Sequence, residues 1–404
     1  MPPIRNLLRT LPAVALLVSA ACAINPATGE RELSFIGEGR EIEMGRESDP
    51  QVVAQFGIYP DSSVQEYVRD LGMRLAATSE RPDLPWTFRV LDDPAINAFA
   101  LPGGFIYVTR GILGHLENEA QLAGVLGHEI GHVTARHSVS QMSRAQLTGG
   151  LFTAAMVLSP EARQFGDLAS TGINLAFLKF GRDDEDESDR LGVRYMTRLG
   201  YDPRELAGVM GMLARASQLA SQGGRLPEWQ STHPDPENRV ESILSRVEAE
   251  GLATGEMTVR EAELKSELDG LTYGPNPREG FTDEGVFHHA DLAFRFAPPP
   301  GWQVINQKQA VIAVSAQEDA IFELTIVDSD PTIAAREFAS QSEVNPSRIV
   351  TRDINGLPAT SFEFRATAQQ ERLEGRVAFI RYGGATYRLL GYGVASRWSN
   401  HDAA

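Results

Sequence analysis

His128, Glu129 and His132 follow one another as His-Glu-x-x-His. On a helix this spacing supplies two imidazole ligands for zinc and a carboxylate able to move a proton. At about 100° per residue, positions i and i+4 share one face, so both imidazoles reach one ion. Glu129 falls roughly 60° from His132, beside the metal rather than on it, where it can take a proton from water that zinc activates. The chemistry this implies is metal-assisted hydrolysis with one Zn2+ per chain.

The flanking residues must then form a helix. Asn118 is the predicted N-cap, and Leu122, Leu126, Ile130 and Val133 form an apolar stripe opposite the histidines. Gly124, Gly127 and Gly131 share one narrow sector of the same wheel. Each glycine weakens a helix by roughly 1 kcal/mol relative to alanine, so their clustering predicts close approach of another backbone.

Two histidines do not hold a catalytic zinc, which takes three protein ligands and keeps the fourth position open. The acidic run Asp183 to Glu187, at the start of a second helical segment, offers five carboxylates. Spacing does not choose among them, and acidic residues also favour the positive end of a helix dipole for solvation alone.

Read together, His-Glu-x-x-His and the downstream Glu185-x-x-x-Asp189 resemble peptidase family M48, which includes the CAAX prenyl endopeptidases, the HtpX membrane proteases and a lipoprotein branch with the protease BepA. The resemblance runs over roughly residues 24 to 245. It implies a mainly α, minimal gluzincin-like metallopeptidase domain with a small β-sheet at the cleft. It also selects Glu185 as third zinc ligand and Asp189 as the carboxylate that orients a ligating histidine. Gly181 and Ser188 stand where the family pattern has Ser and Ala. Asn25-Pro26-Ala27-Thr28-Gly29 is similar to the opening motif of the lipoprotein branch. The stretch Asn97 to Val108 is similar to the family's edge strand beside the cleft. Gly103, Gly104, Phe105, Ile106 and Tyr107 are therefore expected to pair with an extended substrate by strand addition. Ser231 to Arg239 resembles the family's His-Pro motif, which gives His233 a role as a latch in the open zinc position or as an oxyanion stabiliser. His137, five residues past His132 and about 140° further round the wheel, is not expected to share the metal.

Arg5 and Arg9, the apolar run Leu11 to Val18, and Ser19-Ala20-Ala21 before Cys22 have the plan of a signal peptide over residues 1–21. Cys22 is the sole cysteine, which excludes an internal disulfide, and it stands at the lipidation position of bacterial lipoproteins. Ala23 after it points, by the same resemblance, to the outer membrane; the alternative is cleavage nearby and a soluble periplasmic protein. The net charge of −17, with 54 acidic against 37 basic residues, opposes nucleic-acid binding. Unfolded or misassembled envelope proteins are the compatible substrates. A non-proteolytic assembly factor or holdase with a latched zinc site is the rival reading.

With 404 residues and 42% hydrophobic content the chain can bury two cores. The expected order is a metallopeptidase domain over 22–272, a Pro/Gly-rich linker over 273–280 and a smaller α+β domain over 281–404, whose entry Phe296 to Trp302 faintly resembles PsbP-like domains. Strands are predicted in this last part at Leu292 to Phe296, Val311 to Val314, Phe322 to Val327, Ser361 to Arg365, Arg376 to Tyr382 and Tyr387 to Tyr392. A helix is predicted at Thr332 to Ser340, with turns at Asn355-Gly356 and Gly383-Gly384. The apolar segment Ala145 to Ser159 is about 15 residues, too short to span a membrane, and reads as a buried core helix or, alternatively, a flap near the active site.

Overall fold

A computed structural model describes residues 22–144, 178–221, 229–252, 256–306, 310–368 and 371–401. The expected signal peptide and the apolar segment 145–159 lie outside the described residues. The chain divides into two compact units, Met1–Gly274 and Pro275–Ala404, at a point inside the predicted linker.

The first unit opens with an antiparallel pair, β1 (Cys22–Ile24) and β2 (Arg31–Leu33). Helices α1 (Glu38–Phe56) and α2 (Ser62–Ala76) lead into a sheet of β3 (Thr87–Leu91), β4 (Ala98–Leu101) and β5 (Phe105–Thr109). Next come α3 (Arg110–Leu113), α4 (Glu119–Thr134), α5 (Arg182–Arg198), α6 (Arg204–Ser221), α7 (Trp229–Thr232), α8 (Pro236–Ala249) and α9 (Glu261–Glu267). The unit is mainly helical with a small sheet, as the residues and the resemblance imply. Among the described residues no helix is long and apolar enough to cross a membrane.

One sequence expectation fails here. The sheet order is β3-β5-β4, so β5 is central, parallel to β3 and antiparallel to β4. Phe105, Ile106 and Tyr107 already spend their backbone groups on two neighbours, and Gly103 and Gly104 form the hairpin turn with φ of 83° and 103°. A strand paired on both sides cannot add a third, so these five residues are not a substrate edge. The Pro-Gly-Gly turn was legible in the sequence; which strand it leaves at the rim was not.

Helix α4 is the axis of the unit, with all of its residues from Glu119 to Thr134 buried. Asn118 caps it as predicted, its side chain accepting from Gln121 N–H at 2.9 Å. Leu122, Leu126, Ile130 and Val133 pack into one core with Val68 and Leu71 of α2 and with Val90, Ile106 and Val108 of the sheet. The glycine sector faces α5 and α6. A Cβ on Gly127 would meet Gly192 Cα at 3.2 Å, one on Gly131 would meet Ser188 Cα at 3.1 Å, and one on Gly192 would meet His128 N at 3.1 Å. Two backbones therefore touch where the glycines predicted it, and this contact sets the distance between the motif helix and the acidic helix.

The second unit is β-rich. A three-stranded sheet of β6 (Phe281–Asp283), β7 (Val286–His289) and β8 (Phe294–Phe296) precedes an eight-stranded antiparallel sheet. The latter contains β9 (Gln303–Asn306), β10 (Ala310–Val314), β11 (Ala320–Val327), β12 (Val344–Pro346), β13 (Val350–Ile354), β14 (Leu357–Ala368), β15 (Glu371–Tyr382) and β16 (Ala385–Val394). Helix α10 (Pro331–Ala339) lays Ala334 and Ala335 on Phe362, Phe364, Val377 and Phe379. The turns at Asn355-Gly356 and Gly383-Gly384 carry positive φ at both central residues, which matches the twist of a tight hairpin.

Replacing Gly192 by alanine pushes α5 off α4 by a few tenths of an ångström, because the new Cβ meets backbone that cannot rotate away. The expected cost is about 1–3 kcal/mol of stability. Thermal melting of G192A checks it, and an unchanged midpoint would show slack between the helices.

Candidate metal centre

Four side chains converge in the first unit. His128, His132, Glu185 and His233 each present one donor atom, and these atoms lie within 4.8 Å of one another. His128 and His132 come from successive turns of α4, Glu185 from the first turn of α5, and His233 from the loop between α7 and α8. Of the five carboxylates the sequence left open, Asp183 and Asp186 are exposed and Asp184 and Glu187 half-buried, whereas Glu185 is buried. Its carboxylate stands 3.6 Å from His128 Nε2 and 3.5 Å from His132 Nε2.

Hydrogen bonds behind the donors fix how they face. Asp189, one turn past Glu185, lies 2.9 Å from His128 Nδ1. Arg239 Nη2 also stands 3.2 Å from this Nδ1, but the shorter contact is to the carboxylate, which only accepts, so Nδ1 is assigned the proton and Nε2 keeps a lone pair. That nitrogen sits 3.0 Å from His132 Nε2 with no carboxylate or hydroxyl between them. Two imidazole nitrogens pointed at one buried spot, with a carboxylate beside them, form a donor set that fits Zn2+.

Arg239, a turn into α8, was not singled out by sequence reasoning and organises the acidic side of the site. Its guanidinium donates to Asp189 at 2.7 and 2.5 Å and to Glu185 at 2.5 Å, and it lies 4.9 Å from the Trp229 ring centroid. The signal available was only an arginine six residues after His233 in the His-Pro stretch. Pro236 begins α8, where its missing N–H costs nothing, so that stretch delivers both His233 and Arg239 to the same spot. Trp229 stacks on His233 at 4.4 Å and Phe180 on His132 at 4.0 Å between ring centroids, closing the imidazoles off from water.

Glu129 is fully buried, and neither of its carboxylate oxygens has a hydrogen-bond partner among the described residues. His233 faces it, with Nε2 3.7 Å away. Burial pushes the Glu129 carboxyl above the ordinary glutamate range, with His233 and His128 pulling only partly the other way. Glu185 behaves differently: burial works to raise it, but His233 and Arg239 outweigh this and hold it low. Asp189 follows the same logic, its burial overcome by Arg239. Burial and the neighbouring His128 push His132 well below the ordinary histidine range, toward the neutral form a metal requires. In His233 the effect of burial is outweighed by Glu185 and Glu129, which raise it.

His137 is not among the four donor residues, yet it lies closer to them than its angle on the wheel suggests. The wheel argument assumes a continuous helix, but α4 ends at Thr134 and Arg136 has φ of +58°. That turn folds the chain back, and His137 comes to rest with Nδ1 2.9 Å from His132 Nδ1, behind the donor set rather than in it.

A model of peptidase family M48 matches residues 62–247. The chain is 30% identical over 256 residues to the beta-barrel assembly-enhancing protease of Escherichia coli K12, covering 60% of this chain and 52% of that protein. It is 32% identical over 212 residues to the mitochondrial metalloendopeptidase OMA1 of Arabidopsis thaliana, covering 52% of this chain and 40% of that one. The chain thus spans about half the length of the curated relatives it matches. A solved structure of PsbP from Synechocystis is similar over 31% of this chain and 84% of that chain, at 15% identity and a TM-score of 0.23, too slight a likeness to argue from.

Arg239→Met keeps the bulk of the side chain and removes its charge, leaving two buried carboxylates facing each other. Breaking a buried ion pair from one side costs about 3–5 kcal/mol. A fall of that size in denaturant-melting stability of the metal-free protein is expected, and retention of stability would show that Arg239 is peripheral.

Proposed function

Because a model of peptidase family M48 matches residues 62–247, we propose that this chain is a member of that family and a zinc-dependent endopeptidase of the bacterial cell envelope, with a minimal gluzincin-like catalytic domain. The observation that carries this reading is the convergence of His128, His132 and Glu185 on one buried point, with Glu129 beside it, buried and facing His233 without a hydrogen bond. A structural site has no use for a buried, unbonded carboxylate at that spot. The named relatives include a beta-barrel assembly-enhancing protease, which supports misfolded or immature envelope proteins as the substrates. Cys22 is the proposed lipid anchor to the periplasmic face of the outer membrane.

His128, His132 and Glu185 would hold the zinc, and Asp189 with Arg239 would keep His128 aimed at it. When bound, zinc supplies a Lewis acid that polarises the scissile carbonyl and acidifies water. Glu129 takes the proton of the attacking water. Its raised proton affinity, a consequence of burial, suits it to be a base and then to return that proton to the leaving amine as the peptide C–N bond breaks. Trp229 and Phe180 exclude bulk water from the imidazoles.

A second reading is favoured by one observation: His233 makes the donor set four, and four protein ligands describe a closed zinc site. Under it His233 latches the resting enzyme, or the chain is a holdase whose zinc is permanently closed.

Casein digestion by the wild type and by Glu129→Gln, with bound zinc measured in both, separates these. Loss of cleavage of about 100-fold or more with zinc retained is expected for a general base. Absence of cleavage in both proteins, with equal protection of an unfolded client, would establish the holdase instead. For the latch, His233→Ala is expected to raise basal cleavage while three ligands still hold the metal. Unchanged cleavage and zinc affinity would remove His233 from the site's chemistry.

A further inference from the structure

His132 is held from behind by a second chain of contacts, separate from the Asp189 and Arg239 pair that holds His128. Its Nδ1 lies 2.9 Å from His137 Nδ1, and His137 Nε2 lies 3.3 Å from Glu187 Oε2. Ser188 Oγ stands 3.3 Å from the same His137 Nδ1. His137 and Ser188 are buried, whereas the Glu187 side chain keeps 17% of its surface and also pairs with Arg190 at 3.4 Å.

These contacts assign the protons. The Glu187 carboxylate only accepts, so His137 Nε2 carries hydrogen. With that hydrogen on Nε2, the Nδ1 of His137 is the acceptor for His132 Nδ1–H, and the Ser188 hydroxyl can donate to the same atom. His132 is thereby fixed as the tautomer with a bare Nε2, the atom aimed at His128 Nε2 3.0 Å away. A plain packing histidine would have no reason to present a lone pair to the back of one metal-facing imidazole while its other nitrogen meets a carboxylate.

The fold holds His137 there by a specific device. The left-handed Arg136 ends α4, and its guanidinium donates to Glu41 Oε2 at 2.9 Å and to the Ile36 carbonyl at 2.6 Å. Glu41 also binds Arg81 at 2.8 Å, so the turn is pinned to α1 and to the loop before β3. Phe180 stacks on the face of the His132 ring, at 25° to it.

We propose that His137, oriented by Glu187 and backed by Ser188, is a positioning residue that sets the metal-binding tautomer and ring direction of His132. This rests on the zinc site proposed above. It gives the two motif histidines separate supports from one helix: Asp189 of α5 for His128, and Glu187 of α5 acting through His137 for His132. Ser188, where the family pattern has Ala, then has a use particular to this chain.

The test is zinc affinity of the full chain, by competition with a chromogenic chelator, for wild type, His137→Phe, His137→Gln and Glu187→Gln, with melting of the metal-free proteins alongside. Loss of an outer hydrogen-bond partner costs roughly 10- to 100-fold in metal affinity, the drop expected for H137F. H137Q should recover most of it, since an amide oxygen can accept from His132 while its NH2 faces Glu187. The visible spectrum of the cobalt-loaded protein should change in H137F and return in H137Q. A wild type that binds no zinc would sink the metal centre itself. Zinc binding that is equal in wild type and H137F would overturn the role of His137 alone. Should H137F not fold, E187Q at its partly exposed position decides: weaker zinc binding upholds the relay and unchanged binding overturns it.

Discussion

The contact between the backbones of α4 and α5 is the constraint on which the centre depends. His128 and His132 ride on one helix, Glu185, Glu187 and Asp189 on the other, and no side-chain length could compensate for a helix separation set by ordinary residues. Gly127, Gly131 and Gly192 bring the two main chains within van der Waals reach. The glycines give up helix propensity in exchange for position, and the loss is covered by burying α4 completely. A helix inside a core keeps its shape by packing rather than by propensity.

Around that contact the site is a balance of buried charge. Two carboxylates, Glu185 and Asp189, are stabilised by one arginine that reaches both, while Glu129 is left without a hydrogen bond. The consequence is a division of labour by environment: Arg239 and His233 keep the ligand and orienting carboxylates ionised, while burial, helped by the nearby Glu185 carboxylate, raises the proton affinity of the third. Residues of one chemical type thereby come to serve as ligand, orienter and base, and the difference lies in their neighbours.

Much of this was legible in the chain. The His-Glu-x-x-His spacing, the Asn118 cap and the apolar stripe fixed a helix and its face, because each depends only on residues within a few positions. The glycine sector foretold a close backbone partner. In the second unit the alternating strands, the two tight turns and α10 were readable for the same local reason. The short strands at Phe281–Asp283, Val286–His289, Gln303–Asn306, Val344–Pro346 and Val350–Ile354 were not, since they are too brief to carry a pattern. Arg239 escaped because nothing local distinguishes a guanidinium that will be buried from one that will be solvated.

Sequence by itself determined which residue types could bind and activate: two imidazoles and a carboxylate at fixed angles on one helix, and an acidic run that had to contain a partner. Tertiary structure decided which carboxylate of that run turns inward, that β5 lies in the middle of its sheet rather than at its rim, and that His137 doubles back onto His132 through a left-handed residue. The reason is the range of the forces involved. Helical periodicity and capping act over a few residues, whereas burial, strand neighbours and the pairing of buried charges are settled only when segments distant in the chain meet.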